Sequence, residues 1–308
     1  MAASEQVPYP PLELASRVYR LDDWGDPLAA FEELGAETKA ALVRLLPDDW
    51  SFAGKRVLDF GCGAGRTLRH FLAEAETAEI WGADIDASSI DWLNANLSPP
   101  LNAWRCSPGP PIGLEPGSFD LIWAISVFTH LTDTSLAWLL ELHRLLRPEG
   151  LLIATYIGRW SSEYVAGEPW DEDRIGMSVV EQNPDWDQGG PTVVMSDWWV
   201  RAHWGRAFDI VEIAPQIHNM SWAVCRRRDV ELTVEDLERP EDDPREFLAL
   251  RHSLRQARRQ AFSERLRAQM IERDLRLEYE RSLSWQVTRP LRSAARLARS
   301  FRERGRRT

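Results

Sequence analysis

This 308-residue chain has only three cysteines, scattered as Cys62, Cys106 and Cys225. An odd, dispersed set makes neither a disulfide framework nor a paired-cysteine zinc pattern. A reducing, cytoplasmic setting is the expectation. Lysine is nearly missing too: of 37 basic residues, all but Lys39 and Lys55 are arginine. No run of about 18 apolar residues occurs, so no spanning helix is expected. The N-terminus lacks a basic start followed by an apolar stretch, so no secretory signal is expected either. Histidines and acids nowhere cluster at metal-ligand spacing, so no required metal is expected. The formal net charge is −11, and positions 1–244 are strongly acidic. No basic groove would offset phosphate repulsion, which argues against nucleic acid as a partner.

What is present is concentrated between Val57 and Phe71. The segment reads Val-Leu-Asp-Phe-Gly-Cys-Gly-Ala-Gly-Arg-Thr-Leu-Arg-His-Phe. A short apolar run ends in Asp59, and glycines follow at alternate positions, Gly61, Gly63 and Gly65. An amphipathic helix, Thr67–Ala75, is expected next. A strand, a tight turn and a helix N-terminus let backbone approach a ligand where no Cβ intervenes. A dinucleotide fingerprint would require G-x-G-x-x-G, and its third glycine would fall at Arg66. The pattern is D-x-G-x-G-x-G instead. By itself it is also compatible with an ordinary tight turn, and Cys62 within it with a small apolar filler.

Three further segments add to it. Glu79–Asp86 reads as a second strand ending in carboxylates, with Asp84 a little over 20 residues beyond the first glycine, a spacing that suits an acid gripping ribose hydroxyls. Asp86 is the neighbouring alternative and is read as the N-cap of a helix over 87–97. Ser118–Leu131 reads as an apolar strand with its exit loop, and Leu145–Ile157 as a turn into another strand. Together these segments resemble the class I S-adenosylmethionine-dependent methyltransferases: the glycine turn their first motif, and Leu-Arg-Pro-Glu-Gly their turn into strand five, with Glu149 replacing a glycine. The resemblance implies a Rossmann-like α/β fold, a seven-stranded mostly parallel sheet with helices on both faces. It implies S-adenosyl-L-methionine as cofactor, held around Asp59, Gly61, Cys62, Gly63, Gly65, Asp84, Ile85, Ser107, Ile125 and Ser126. Many relatives carry an acid after strand three for the adenine amine. Cys106 or Ser107 stands there in this sequence, which leaves the adenine to backbone groups, the Ser107 hydroxyl and apolar contacts.

The expected organisation is an N-terminal helical cap over 1–50, with its helix at 28–46. A methyltransferase domain follows over 51–228, then an acidic linker over 229–244 and a basic helical tail over 245–308. Strands are expected at 56–60, 80–85, 103–106, 121–125 and 151–157, with helices at 88–97 and 134–146. After Ile157 the regular pattern stops until Ser196, where a capped helix to Arg206 begins; two antiparallel strands, 208–214 and 221–227, follow. The irregular stretch 158–195 holds Trp160, Tyr164, Trp170, Trp186 and many acids, and loops this long in a compact domain are usually functional. It is read as an acceptor-binding lid. Rings beside acids and amides suit a saccharide; packing of the rings onto the domain is the alternative.

A sugar hydroxyl is weakly acidic, so a base beside it would help transfer. His130, just past the fourth strand, is the candidate catalytic residue, with a structural role as the alternative. His218, Glu163, Glu168, Asp171 and Glu181 are weaker candidates, and His143 reads as packing. The tail places Leu250, Leu254, Ala257 and Ala261 on one seam, after which the register slips to Phe262, Leu266 and Met270. That is an imperfect coiled coil, suited to a homodimer through 246–280, with a long solvated helix packed on its own domain as the alternative. Ser282–Arg292 resembles endings of glycosyltransferases and methyltransferases of bacterial surface-polysaccharide assembly, and the basic amphipathic pattern beyond it suits peripheral membrane contact through 285–308, with a disordered basic tail or a docking helix for a partner enzyme as the alternatives. The expected activity is O-methylation of a saccharide in surface-glycan assembly. A soluble small-molecule acceptor and an inactive scaffold are the alternatives.

Overall fold

A computed structural model describes residues 7–18, 26–161, 170–181, 190–282 and 285–288. The chain divides into two units, residues 1–254 and 255–308.

In the first unit, five strands lie parallel. They are β1 (Arg56–Phe60), β2 (Glu79–Asp84), β3 (Asn102–Arg105), β4 (Phe119–Ala124) and β5 (Leu146–Tyr156). A two-stranded antiparallel pair, β6 (Met177–Glu181) and β7 (Thr192–Met195), intervenes before β8 (Phe208–Ile217) and β9 (Met220–Arg227). The main sheet has seven strands in the order β3-β2-β1-β4-β5-β9-β8, with β9 antiparallel to both neighbours. This is the Rossmann-like, mostly parallel sheet expected from the sequence. Its central strands are apolar on both faces because both are covered. On one face Phe119, Trp138, Trp204 and Phe208 are fully buried or nearly so. On the other face Leu42, Phe71, Ile90 and Trp222 form a second core.

The covering helices are α1 (Leu12–Ala15), α2 (Pro27–Leu45), α3 (Ala87–Asn96), α4 (Ser135–Leu145), α5 (Asp197–His203), α6 (Val234–Glu238) and α7 (Pro244–Arg281). Asp26 caps α2 by accepting from the Leu28 amide at 3.0 Å, with Pro27 in the first turn, where a missing N–H costs nothing. Ser196 caps α5 as expected, accepting from the Trp199 amide.

Four expectations are corrected. The helix expected over 67–75 is two short 3₁₀ turns, Leu68–Phe71 and Glu74–Glu76. Here α2 presses so close that a Cβ on Gly35 would stand 2.1 Å from the Arg66 carbonyl oxygen, and tertiary contact overrides helical periodicity. The stretch 158–195 is not wholly irregular, since it contributes β6 and β7, and the Val193 amide donates to the Thr129 carbonyl at 2.8 Å. Residues 229–244 are not merely a linker: α6 carries a Thr233–Asp236 capping box and buries Leu237 in the main core. The tail helix begins within the domain. Glu246 and Ala249 are buried, and Ser253 donates to the Met177 carbonyl of β6.

Candidate cofactor and acceptor site

The parallel strands end together, and their C-terminal tips carry the polar residues singled out by the sequence. Asp59 pairs in register with Gly82 on one side and Trp123 on the other. It is buried, and burial pushes its carboxyl up to about 7; the Trp123 side chain and the Arg66 charge counter this, and the Asp84 charge adds to it.

The glycine turn leaves β1 through Gly61 and Gly65 at φ of 81° and 80°, with Gly63 at 50°, the left-handed region that glycine enters without a steric penalty. Space matters as much as φ. A Cβ on Gly61 would lie 2.3 Å from Val127, and one on Gly65 would lie 2.7 Å from Leu93. Gly82 of β2 escaped notice in the sequence, yet a Cβ there would meet Cys62 Sγ and Leu68 at 2.8 Å. Its signal was only a glycine within a strand, a mark of close backbone approach.

Asp84 ties this turn to β2. One carboxylate oxygen accepts from the Gly63 amide at 2.7 Å and the other from the Asp86 amide at 2.8 Å. Burial raises its pKa, and the two amides oppose that rise. A carboxylate offers about four lone-pair directions, so both oxygens keep capacity for ribose hydroxyls. Asp86 does the capping work expected of it, accepting from the Ser88 amide at 3.0 Å and the Ser89 hydroxyl at 2.6 Å. It also holds the Arg17 guanidinium. Burial would raise its pKa, but the Ser89 and Arg17 bonds outweigh burial and lower it. Arg17 thereby fastens the N-terminal segment at the β2 tip. Buried Arg69 fastens the same segment from the other side, donating to the Val7 carbonyl and lying 4.1 Å from the Tyr9 ring centre. Leu14, Ala15 and Phe31 bury Ala64 of the glycine turn beneath this cap.

Beside the tips of β2 and β3 lies an open cleft of about 530 Å³, lined by Ile85, Asp86, Ala87, Arg105, Cys106, Ser107 and Pro108. Burial and the nearby Asp84 push the Cys106 thiol up to about 12, so it stays protonated at neutral pH. The Cys106 amide donates to the Asp84 carbonyl at 2.9 Å. The cleft brings together Ile85 and Ser107, as the sequence anticipated, and adds Arg105, which it did not. Asp86 is the acid in its lining, and after β3 stand Cys106 and Ser107.

Ile125 and Ser126 continue the site from β4. Ser126 is held at a φ of 59°, unusual for a residue with a Cβ. Its amide donates to Thr155 Oγ1 at 2.7 Å, and its hydroxyl meets Thr129 Oγ1 at 3.2 Å.

His130 follows on the same loop. Its Nδ1 lies 2.8 Å from the Pro191 carbonyl at the start of β7. A carbonyl only accepts, so Nδ1 carries the proton and Nε2 keeps a lone pair. Protein atoms crowding the ring lower its pKa, partly offset by the Pro191 carbonyl. A neutral imidazole with one basic nitrogen is the form a proton acceptor needs.

The remaining candidates sit elsewhere. His143 is a buried residue of α4, bonded to the Arg228 carbonyl at 2.8 Å. His218 lies in the β8–β9 turn, 3.4 Å from Glu37. Asp171 pairs with Arg174 and is half-buried. Glu181 ends β6, and Glu163, Tyr164, Glu168 and Trp186 lie outside the described residues. Trp160 is exposed, and the Trp170 indole donates to Glu172. A pair that the sequence did not suggest joins α5 to the sheet: buried Tyr156 at the end of β5 donates to Asp197, the first residue of α5, at 2.5 Å. Burial, with Asp197 beside it, raises the Tyr156 pKa far above its ordinary value. Only the coming together of two elements distant in sequence reveals it.

Residues 58–152 match the family model of a methyltransferase domain. Over 163 residues the chain is 27% identical to chloroplastic tocopherol O-methyltransferase of Arabidopsis thaliana, covering 48% of this chain and 47% of that protein. Over 114 residues it is 32% identical to a ubiquinone biosynthesis O-methyltransferase of Rhodopseudomonas palustris, covering 36% of this chain and 43% of that protein. The chain thus spans about half the length of these curated relatives. Among solved structures, an S-adenosylmethionine-dependent methyltransferase of Mesorhizobium loti is 17% identical with a TM-score of 0.46, over 63% of this chain and 99% of that one. These residues fit S-adenosyl-L-methionine: the turn, with glycine at positions 61, 63 and 65, would admit its methionine end, Asp84 would offer acceptors for its ribose, and the cleft beyond Ile85 would take a flat base.

Proposed function

We propose that the protein is an S-adenosylmethionine-dependent O-methyltransferase. The observation that carries the reading is the Asp84 carboxylate. It closes on the Gly63 amide from the next strand, so turn and ribose acceptor form one unit. When bound, the cofactor supplies an activated methyl group on a positively charged sulfur. The protein then has to align an acceptor oxygen and remove its proton, and much of the rate comes from alignment. Asp59, Asp84 and the glycine turn would hold the donor. His130, neutral and fixed through Nδ1 by the Pro191 carbonyl, accepts the hydroxyl proton at Nε2.

For the acceptor, the reading favoured is a saccharide hydroxyl in surface-glycan assembly. It is supported by the tryptophans and acids of the segment between β5 and α5 and by the resemblance carried by Ser282–Arg292. A soluble small-molecule acceptor is the second reading; the names of the relatives, O-methyltransferases of tocopherol and ubiquinone biosynthesis, favour an acceptor that is not a saccharide, although those two molecules are lipids. Membrane contact through 285–308 belongs to the saccharide reading, although residues from 289 onward lie outside those described. Calorimetry with S-adenosylmethionine tests the core proposal: absence of measurable binding would favour an inactive scaffold. Methyl-labelled donor offered with lipid-linked glycans and with soluble hydroxylated molecules then separates the two acceptor classes.

A further inference from the structure

Among the described residues, the second unit carries a helix surface exposed on all sides. Every residue of α7 from Ala261 to Arg281 is exposed, and Ile271 and Leu275 are 60% and 61% exposed. Most helical stability in proteins comes from a packed apolar face rather than from propensity. The seam of Leu250, Leu254, Ala257 and Ala261 slips to Phe262, Leu266 and Met270, and a second line of residues continues past Ala261 without a slip. Ala257, Ala261, Glu264, Ala268, Ile271 and Leu275 recur at alternating intervals of four and three, the spacing of coiled-coil core positions. Phe262, Leu266 and Met270 form a separate stripe on another side.

This seam is graded. Its first half is small (Ala257, Ala261) and its second half is large (Ile271, Leu275). Charge is graded in the same sense. From Arg255 to Arg267 there are five arginines against Glu264, whereas Ala268 to Arg281 holds Glu272, Asp274, Glu278 and Glu280 against three arginines. Each chain therefore carries both halves of a complementary pair, and the partner that satisfies both gradients is the same helix running the other way.

We infer that α7 pairs antiparallel with a second copy of this chain, Ala257 facing Leu275 and Ala261 facing Ile271 across a two-fold axis near Leu266. In that register Glu264 faces Ala268 of the partner copy rather than Glu264, and Arg258 lies near Glu272. A parallel pair would instead stack alanine on alanine, leave gaps and bring the two Glu264 carboxylates together in the seam. Like charges at a core position are destabilising, and small opposite large fills an antiparallel interface without voids. A two-fold pair is also closed, so it leaves no open surface for further growth.

Light scattering on the full-length protein at micromolar concentration tests the proposal and should give twice the chain mass. Ile271→Glu should raise the dimer dissociation constant at least tenfold while S-adenosylmethionine affinity stays unchanged. A wild-type monomer, or a dimer that survives Ile271→Glu, would overturn the inference. Orientation is read by mild oxidation, with the native cysteines buried and out of the way. Ala257→Cys alone should give no cross-linked dimer, and a mixture of Ala257→Cys with Leu275→Cys should give one. Self-cross-linking of Ala257→Cys would mean a parallel pair and refute the assignment.

Discussion

Replacing Asp59 with asparagine should make the apoprotein more stable at pH 8 and a poorer cofactor binder. Asp59 is 3% exposed, and its carboxyl is raised from an ordinary 3.8 to about 7. Between those values the folded state binds a proton that the unfolded state has released. Stability therefore falls as pH rises through this window, by up to about 1.4 kcal/mol per pH unit. Above pH 7 the accumulated cost is about 4 kcal/mol, a large part of the stability of an ordinary domain. Asparagine keeps the shape and the hydrogen bonding but cannot ionise, so the cost should vanish. The assay is urea unfolding at pH 5, 6, 7 and 8 for both proteins. The difference in unfolding free energy should grow with pH in favour of Asp59→Asn and level off near pH 8. Other titrating groups are common to both proteins and cancel in the difference. A difference independent of pH would refute the reasoning, since it would mean that Asp59 is not forced to carry a buried charge. Calorimetry on the same pair should show the opposite sign for S-adenosylmethionine. The positively charged ligand favours the ionised carboxylate, so wild-type binding near pH 6 should release a proton that the variant does not.

Gly63→Val should abolish cofactor binding with the fold largely retained, because Gly63 is held at positive φ and its amide faces Asp84; circular dichroism and calorimetry check the two halves. Asp84→Ala should weaken cofactor affinity by about 1–3 kcal/mol through loss of charge-assisted hydrogen bonds, and normal affinity would displace Asp84 from the site. His130→Ala should lower turnover without changing cofactor affinity, whereas full turnover would make the Pro191 contact purely structural. Glu246→Ala should destabilise the domain by about 3–5 kcal/mol in urea unfolding, because it strips the buried His203 of its 2.6 Å partner. An unfolding curve like that of the wild type would show that the first turns of α7 do not hold the domain together.

Tertiary contact also changes where the chain can be cut. A truncation at the arginine-rich boundary near 245 would remove Glu246, Ala249 and Ser253, all engaged with α5 or β6. The unit boundary lies after Leu254, and the composition shift gave no hint of it because buried and exposed turns of one amphipathic helix have similar composition.

The amino-acid sequence alone determined the seven strands of the main sheet, the glycine turn and the acids at the strand tips. Those features rest on local chemistry: apolar runs, left-handed φ and caps. Asp84 and Asp86 could be told apart for the same reason, since an N-cap is a property of a few neighbouring residues. Only the tertiary structure decided the rest. The Gly35 approach reshaped the turn after Gly65, and the β6–β7 pair brought the Pro191 carbonyl to His130. The fold also paired Tyr156 with Asp197 and His203 with Glu246. Each of these joins residues distant along the chain, and no local propensity encodes a contact whose partner is supplied by the closing of the whole sheet.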